Sequence, residues 1–207
     1  MFVEIAFVVL LAVGVTYFFW LLLRSASAKI RAQYVQLAER FGLELTEPEV
    51  KMAGFVRPEP FVHGHYKDRE ISISAPGKGL QNTRQSETAI KVSTVAKDLQ
   101  VQMAIKGMMI GLKQRDSQAK TRWNSGDAAF DAAVDVRTNQ AERLTAILDL
   151  AMRTRILKLL KTSKGTLYVG KGMLSFFKLG LVSKEAERVQ IELAADLLIE
   201  LAESIER

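Results

Sequence analysis

The chain opens with a long run of apolar positions, which predicts a membrane-spanning helix. Residues 5–23 contain 19 positions without a charged side chain. A helix of that length spans about 28 Å, close to the hydrocarbon thickness of a bilayer, and a helix is required because lipid offers no partner for open backbone groups. Aromatic side chains cluster near the C-terminal end of the run, as in an interfacial belt. The residues predicted to anchor the chain are Ile5, Gly14, Tyr17, Trp20 and Leu23.

The charges on either side of the apolar run predict its orientation. Glu4 precedes the run, whereas Arg24, Lys29 and Arg31 follow it. Basic residues concentrate on the cytoplasmic side of a membrane protein. We therefore expect a single-pass protein of the cell inner membrane, with its N-terminus outside and its C-terminal domain in the cytoplasm.

A cleaved signal peptide is the alternative interpretation of the same segment. Ala26-Ser27-Ala28 resembles the small-residue motif at which signal peptides are cut. However, no Lys or Arg precedes the apolar run, and the run is longer than the usual apolar core of a signal peptide. The pattern therefore favours a retained anchor.

Helical spacing of apolar residues resumes over residues 28–41, and Gly42 ends that helix. The helix either continues from the anchor or follows a short break at residues 25–27. Residues 46–60 hold three of the four prolines and predict a loop.

Alternating apolar and polar positions then predict a run of strands. Two hairpins are expected, with turns at Lys67-Asp68-Arg69 and Gly170-Lys171-Gly172. Residues 114–128 are predicted to be an edge strand or a loop. The predicted strands cover residues 61–66, 70–74, 88–94, 99–105, 133–136, 166–169 and 173–178.

The apolar spacing changes to a helical period over residues 139–162, with a break near Asp149. A closing helix is predicted from a stripe with a spacing of four, formed by Val189, Leu193, Leu197, Leu201 and Ile205. These elements predict an α+β fold, in which an N-terminal transmembrane helix precedes an antiparallel-sheet domain with packed helices. The predicted divisions are a transmembrane helix (1–24), a juxtamembrane helix and linker (25–60) and a cytoplasmic domain (61–207). Strands precede helices twice along the chain, which leaves a structural repeat open.

The composition excludes several classes of protein. The chain has no cysteine, which excludes thiol catalysis, disulfides, Fe–S clusters and cysteine-based zinc sites. Its hydrophobic fraction of 48% and its 4 prolines among 207 residues exclude a disordered or collagen-like chain. The net charge of +6 is unevenly distributed, because residues 184–207 carry −4 while residues 24–183 carry +11.

A basic body tethered to a membrane is attracted to anionic lipid. No RRM, KH, helix-turn-helix or zinc-finger signature is present, so no nucleic-acid partner is predicted. Met108 and Met109 lie in an apolar segment between glycines, which forms either the end of a core strand or an adaptable contact surface. The residues predicted to contact the membrane surface or a partner are Arg24, Lys29, Arg31, Arg153, Arg155, Lys158, Lys161, Met108 and Met109.

Three motifs contain side chains that could support chemistry, and none of them predicts a cofactor. The run from Gly165 to Lys171 nearly spells a phosphate-binding loop, but Gly172 stands where Ser or Thr should hold Mg²⁺, and the pattern indicates a hairpin. His63 and His65 would share one face of a strand and are weak candidates for a metal site, because no third ligand is specified.

Three carboxylates at Asp127, Asp131 and Asp135 could serve acid–base chemistry. Their segment is instead predicted to be a turn that enters a strand, where aspartates are common. No partner base accompanies them, and we expect no catalytic residues in the chain.

Two segments resemble a loosely defined group of bacterial membrane-anchored α+β proteins. Residues 62–69 contain Gly64-His65-Tyr66-Lys67-Asp68-Arg69, which is similar to a Gly-x-Tyr-x-x-Arg strand turn of that group. Gly126-Asp127 with Phe130-Asp131 ahead of a strand is also similar. The resemblance covers residues 34–207 and extends to the helix–hairpin–helix ending. The group has no established activity, so the resemblance implies a fold and no functional residues.

The leading hypothesis is a non-catalytic accessory or scaffolding subunit of a larger membrane complex, whose partners are the bilayer and other subunits. An energy-converting complex is one candidate host. The alternative is a membrane-tethered module that binds a lipid surface or a ligand. A metal-dependent enzyme is the third hypothesis.

Overall fold

A computed structural model of the protein describes residues 2–49, 58–76, 87–107 and 121–207. Within these ranges the helices are α1 (Phe2–Phe41), α2 (Ala128–Ala133), α3 (Ala141–Ile147), α4 (Leu150–Ser163) and α5 (Glu185–Glu206). The strands are β1 (Glu44–Thr46), β2 (Phe61–Tyr66), β3 (Arg69–Ser74), β4 (Glu87–Ser93), β5 (Val101–Ile105), β6 (Thr121–Trp123), β7 (Val134–Thr138), β8 (Thr166–Gly170) and β9 (Met173–Leu179).

The strands form one antiparallel sheet in the order β1-β2-β3-β4-β9-β8-β5-β7-β6. The β8–β9 hairpin lies at the centre, between β4 and β5, although it comes late in the chain. The predicted α+β class is therefore confirmed. The two strand-then-helix segments contribute to one sheet rather than to separate units.

The sheet buries one face under helices. Its buried residues alternate along each strand and lie directly opposite one another in adjacent strands, which places them on the same face. α5 contacts β4 and β9 at the centre of the sheet, and it also contacts α1 and α4. Residues that share this face in paired strands are Ile71, Ile73, Ile90, Val92, Leu174, Phe176, Leu167, Val169, Val101 and Met103.

Helix α1 joins the apolar N-terminal segment to the domain without a break. It continues through residues 25–28, which settles the alternative of a short interruption there. Its first fully packed side chain is Ile30, and Tyr34, Leu37 and Phe41 follow in the core at the same helical spacing. The helix is long and apolar enough to cross a membrane, and its most apolar 18-residue window has a mean hydropathy of 2.5 with none of it buried.

Both predicted hairpins are confirmed, each with a two-residue turn. Lys67 and Asp68 form the first turn and Lys171 and Gly172 the second, and all four have positive φ values between 50° and 76°. Such values match the turn type that fits the twist of a hairpin. Arg69, which was predicted to be a turn residue, is instead the first residue of β3.

Two predictions about helices need correction. In α5, Val189 and Leu193 are 40% and 59% exposed, whereas Leu197, Leu201 and Ile205 are buried. The stripe fails because each step of four residues advances about 40° beyond a full turn, so five such residues sweep across the helix surface. The segment predicted to be a turn into a strand contains the short helix α2, which Phe130 anchors in the core.

Candidate functional site

A cleft of about 850 Å³ lies where α1 leaves the apolar run and meets the loop between β9 and α5. Leu22 belongs to the apolar run, whereas Ile30 belongs to the core of the domain. The cleft therefore connects the candidate membrane span to the folded domain. Its walls are formed by Leu22, Ser25, Ala26, Lys29 and Ile30 of α1 and by Leu179, Gly180, Leu181, Ser183 and Glu187.

The α1 wall is built by helical spacing and by small side chains. Its lining residues recur three or four positions apart, which places them on one side of the helix. Ser25 and Ala26 have the smallest side chains of this wall, and they leave space between Leu22 and Ile30. Ala26, the first residue of the motif that resembles a cleavage site, therefore lines the cleft.

The opposite wall is positioned by the end of β9. Gly180 follows the strand with a φ of +93°, a conformation that favours glycine. The Thr88 hydroxyl of β4 donates a hydrogen bond of 2.8 Å to the Gly180 carbonyl oxygen. This bond ties the loop to the sheet and fixes where the second wall lies.

The carboxylate in the cleft wall is fully engaged. Glu187 accepts hydrogen bonds from the Ser183 backbone N–H at 2.8 Å, the Ser183 hydroxyl at 3.2 Å and the Lys184 backbone N–H at 3.0 Å. Burial acts to raise the pKa of Glu187, but these hydrogen bonds outweigh it and lower the pKa. The carboxylate therefore remains ionised and caps the N-terminus of α5.

Lys29 differs from the two arginines on either side of it along α1. Arg31 donates to both carboxylate oxygens of Glu47 at 2.8 and 2.9 Å, and the Arg24 guanidinium lies 5.3 Å from the centre of the Trp20 ring. Lys29 is exposed, and within the described ranges it has no hydrogen bond or ion pair.

The four basic residues predicted along α4 fall into two groups. Arg155 forms an ion pair with Glu200 of α5, and Arg153 donates to the Ser125 carbonyl oxygen at 2.8 Å. Lys158 and Lys161 are exposed and have no partner among the residues that the structure describes. Contact of these cations with a membrane or a partner stays a prediction. Met108 and Met109 lie outside the described residues.

The histidines are not brought together with further ligands. The His63 Nε2 lies 3.0 Å from the Thr46 hydroxyl, and the ring stacks on Phe61 with centroids 5.6 Å apart. His65 is exposed on the same sheet face. Across the described part of the chain, no cluster of three or more His, Cys, Asp or Glu side chains could hold a metal ion.

Each of the three candidate aspartates has a local partner. Asp127 caps α2 by accepting from the backbone N–H groups of Ala129 and Phe130. Asp131 accepts from the Ser125 backbone N–H and hydroxyl at 2.9 and 2.8 Å, and Asp135 pairs with Arg137 at 3.2 Å. These carboxylates therefore stabilise local structure.

One buried hydroxyl lies beside the cleft. Tyr34 follows Ile30 by one helical turn and is fully buried, yet its hydroxyl makes no hydrogen bond of normal geometry to a described residue. Burial, with the charge of Glu59 adding to it, raises the pKa of Tyr34 to about 12. The phenol therefore stays neutral at physiological pH. Sequence periodicity predicted Tyr34 only to be a core residue.

Comparison with known proteins shows the fold alone. No family model matches the chain, and no curated protein matches it. The chain is similar to the crystal structure of the mycobacterial trehalose monomycolate transport factor A, TtfA, with a TM-score of 0.56 and 12% sequence identity. The match covers 87% of this chain and 94% of the TtfA chain.

Proposed function

We propose that the protein is a membrane-tethered, non-catalytic accessory subunit that binds a membrane lipid in the cleft described above. The observation that carries the proposal is the continuity of the cleft with the apolar run of α1. Leu22 lines the cleft and is also part of the 19-residue apolar run. An acyl chain could therefore extend from the bilayer into the cleft without crossing water, which would otherwise oppose its transfer.

The likeness to TtfA supports the same proposal. That protein is named as a transport factor for trehalose monomycolate. A non-catalytic role agrees with the contacts of the three candidate carboxylates. Asp127 caps a helix, Asp131 accepts hydrogen bonds and Asp135 forms an ion pair.

Photocrosslinking in membranes tests lipid binding directly. Cells producing the full chain are fed a fatty acid with a photoreactive acyl chain, and crosslinked peptides are mapped by mass spectrometry. We expect crosslinks on residues 179–183, which lie in the domain and outside the apolar run. Crosslinks confined to residues 5–23 would contradict the proposal.

A pair of matched variants locates the lipid. Ala26 lines the cleft, whereas Ala28 is exposed on the same helix and does not line it. Ala26→Trp should obstruct the cleft beside Leu22 and lower the crosslinking to residues 179–183, and Ala28→Trp should leave it unchanged. Equal crosslinking in both variants would show that the lipid does not occupy the cleft.

The accessory role has its own test. After extraction in a mild detergent, the full chain should migrate in size-exclusion chromatography as part of a larger assembly with defined membrane proteins. A monodisperse monomer without a co-purifying partner would argue strongly against an accessory subunit.

A further inference from the structure

We infer that the cleft selects a lipid with an anionic, phosphate-bearing headgroup and that Lys29 binds this headgroup. The inference rests on the proposed function, and it adds the class of lipid. It begins from the charges on the cleft walls. Glu187 is the carboxylate of the cleft and accepts three hydrogen bonds from its own loop. Lys29 is the cation of the cleft, and no described residue neutralises it.

The position of Lys29 along the axis of α1 corresponds to the depth of the lipid headgroups. Lys29 lies seven positions after Leu22, so the two lie on nearly the same side of the helix and about 10 Å apart along its axis. The headgroup region extends about 5–7 Å beyond the hydrocarbon on each side of a bilayer. A lipid with its acyl chain beside Leu22 and Ala26 would therefore place its phosphate within reach of the flexible Lys29 side chain.

The two arginines on either side of Lys29 along α1 are already in contact with other side chains. The guanidinium of Arg31 is held by Glu47 in a two-bond contact, and Arg24 lies over the Trp20 ring. A lysine ammonium binds phosphate as a point charge, so selectivity should depend on charge more than on the exact shape of the headgroup.

The experiment compares two lipid probes in vesicles that contain the full chain. Phosphatidylglycerol and phosphatidylcholine carry the same photoreactive acyl chain and are present as minor components in neutral lipid. We expect about fivefold more crosslinking of residues 179–183 by the anionic probe, as one basic side chain near an anionic lipid surface implies. The preference should decrease at high ionic strength, because Lys29 is exposed.

Charge variants assign the preference to Lys29. Lys29→Gln should make crosslinking by the two probes equal, whereas Lys29→Arg should keep the anionic preference. Lys97→Gln removes an exposed lysine near the β8–β9 turn, at the other end of the sheet, and should leave the preference unchanged.

The possible results separate the two proposals. Equal crosslinking by both probes in the wild type would overturn the headgroup inference and leave the cleft as a lipid site. Absence of crosslinks from residues 179–183 with either probe would overturn the proposed function itself. Competition by inorganic phosphate, with the ionic strength held constant by chloride, would assign Lys29 to a soluble anion and would also overturn the inference.

Discussion

One carboxylate near the C-terminus connects α5 to two strand ends. Glu206 accepts two hydrogen bonds from the Arg69 guanidinium at 2.7 and 2.6 Å. It also accepts one from the Thr94 hydroxyl at 2.8 Å and one from the Val95 backbone N–H at 3.0 Å. The Arg69 side chain is only 14% exposed. The bonds from Arg69, together with those from Val95 and Thr94, lower the pKa of Glu206 to about 2.

Replacing this carboxylate should destabilise the protein. Glu206→Gln removes the charge that four hydrogen bonds satisfy, and we expect a loss of roughly 1–3 kcal/mol at pH 7, as for charged hydrogen-bonded groups. The measurement is urea unfolding of the full chain in detergent. Glu39→Gln is the control, because Glu39 is exposed on α1 and has no hydrogen bond or ion pair among the described residues.

The Arg69–Glu206 ion pair also predicts how the stability of the protein depends on pH. The folded pKa of Glu206, about 2, lies below the ordinary value of 4.5. The carboxylate therefore contributes its full stability above pH 4.5 and loses it as the pH falls towards 2. The difference between wild type and Glu206→Gln should shrink over this window. A difference that stays constant from pH 7 to pH 2 would contradict the proposed role of the ion pair.

At the scale of elements, the packing around position 165 explains why this residue is a glycine. It begins the near match to a phosphate-binding loop, but it lies in the connection from α4 to β8. A Cβ built on this residue would overlap the Phe176 ring and would lie 2.8 Å from the Phe177 carbonyl oxygen. Glycine is therefore required for the close approach of this connection to β9.

We expect Gly165→Ala to cost roughly 1–3 kcal/mol, the usual cost of overpacking a core. Gly14→Ala is a suitable control, because a Cβ at Gly14 would meet no atom within 4 Å. Thermal unfolding of both variants in detergent measures the effect. If Gly165→Ala were as stable as the wild type, this connection would not be closely packed.

Local patterns predict the longer helices and strands, because their signal extends over several helical turns or over a full strand. The predicted break near Asp149 is confirmed, because its side chain caps α4 by accepting from the Met152 backbone N–H at 2.7 Å. Helix α2 was missed because six residues carry less than two turns of periodicity. Asp127 caps helix α2, whereas the sequence pattern predicts a turn that enters a strand.

The cleft could not be predicted from such patterns. Its walls come from residues 22–30 and 179–187, which lie on opposite sides of the sheet-forming sequence. The periodicity of either segment does not specify which segment packs against it. Ala26 is visible in the sequence, but there it is only the first residue of the cleavage-like motif Ala26-Ser27-Ala28.

At the scale of the whole molecule, the acidic final helix forms ion pairs with basic residues of the same chain. Charge alone allows the acidic final helix to meet either a basic partner or the basic body of the same chain. The structure shows contacts with the body, through Arg40–Asp196, Arg69–Glu206 and Arg155–Glu200. The acidic residues that form these pairs are therefore already engaged, and Lys158 and Lys161 remain exposed on α4.

The continuous helix α1 makes the orientation of the molecule testable, because the domain follows the candidate span without a flexible joint. The chain has no cysteine, so single-cysteine variants report one site each. We expect a membrane-impermeant maleimide to label Val3→Cys in right-side-out vesicles and to label Lys97→Cys only after the vesicles are opened. Both positions are exposed in the folded chain. The basic residues after the apolar run predict this result. The reverse labelling would place the domain outside the cell, and then Lys29 and the cleft would face the outer leaflet instead of the anionic cytoplasmic one.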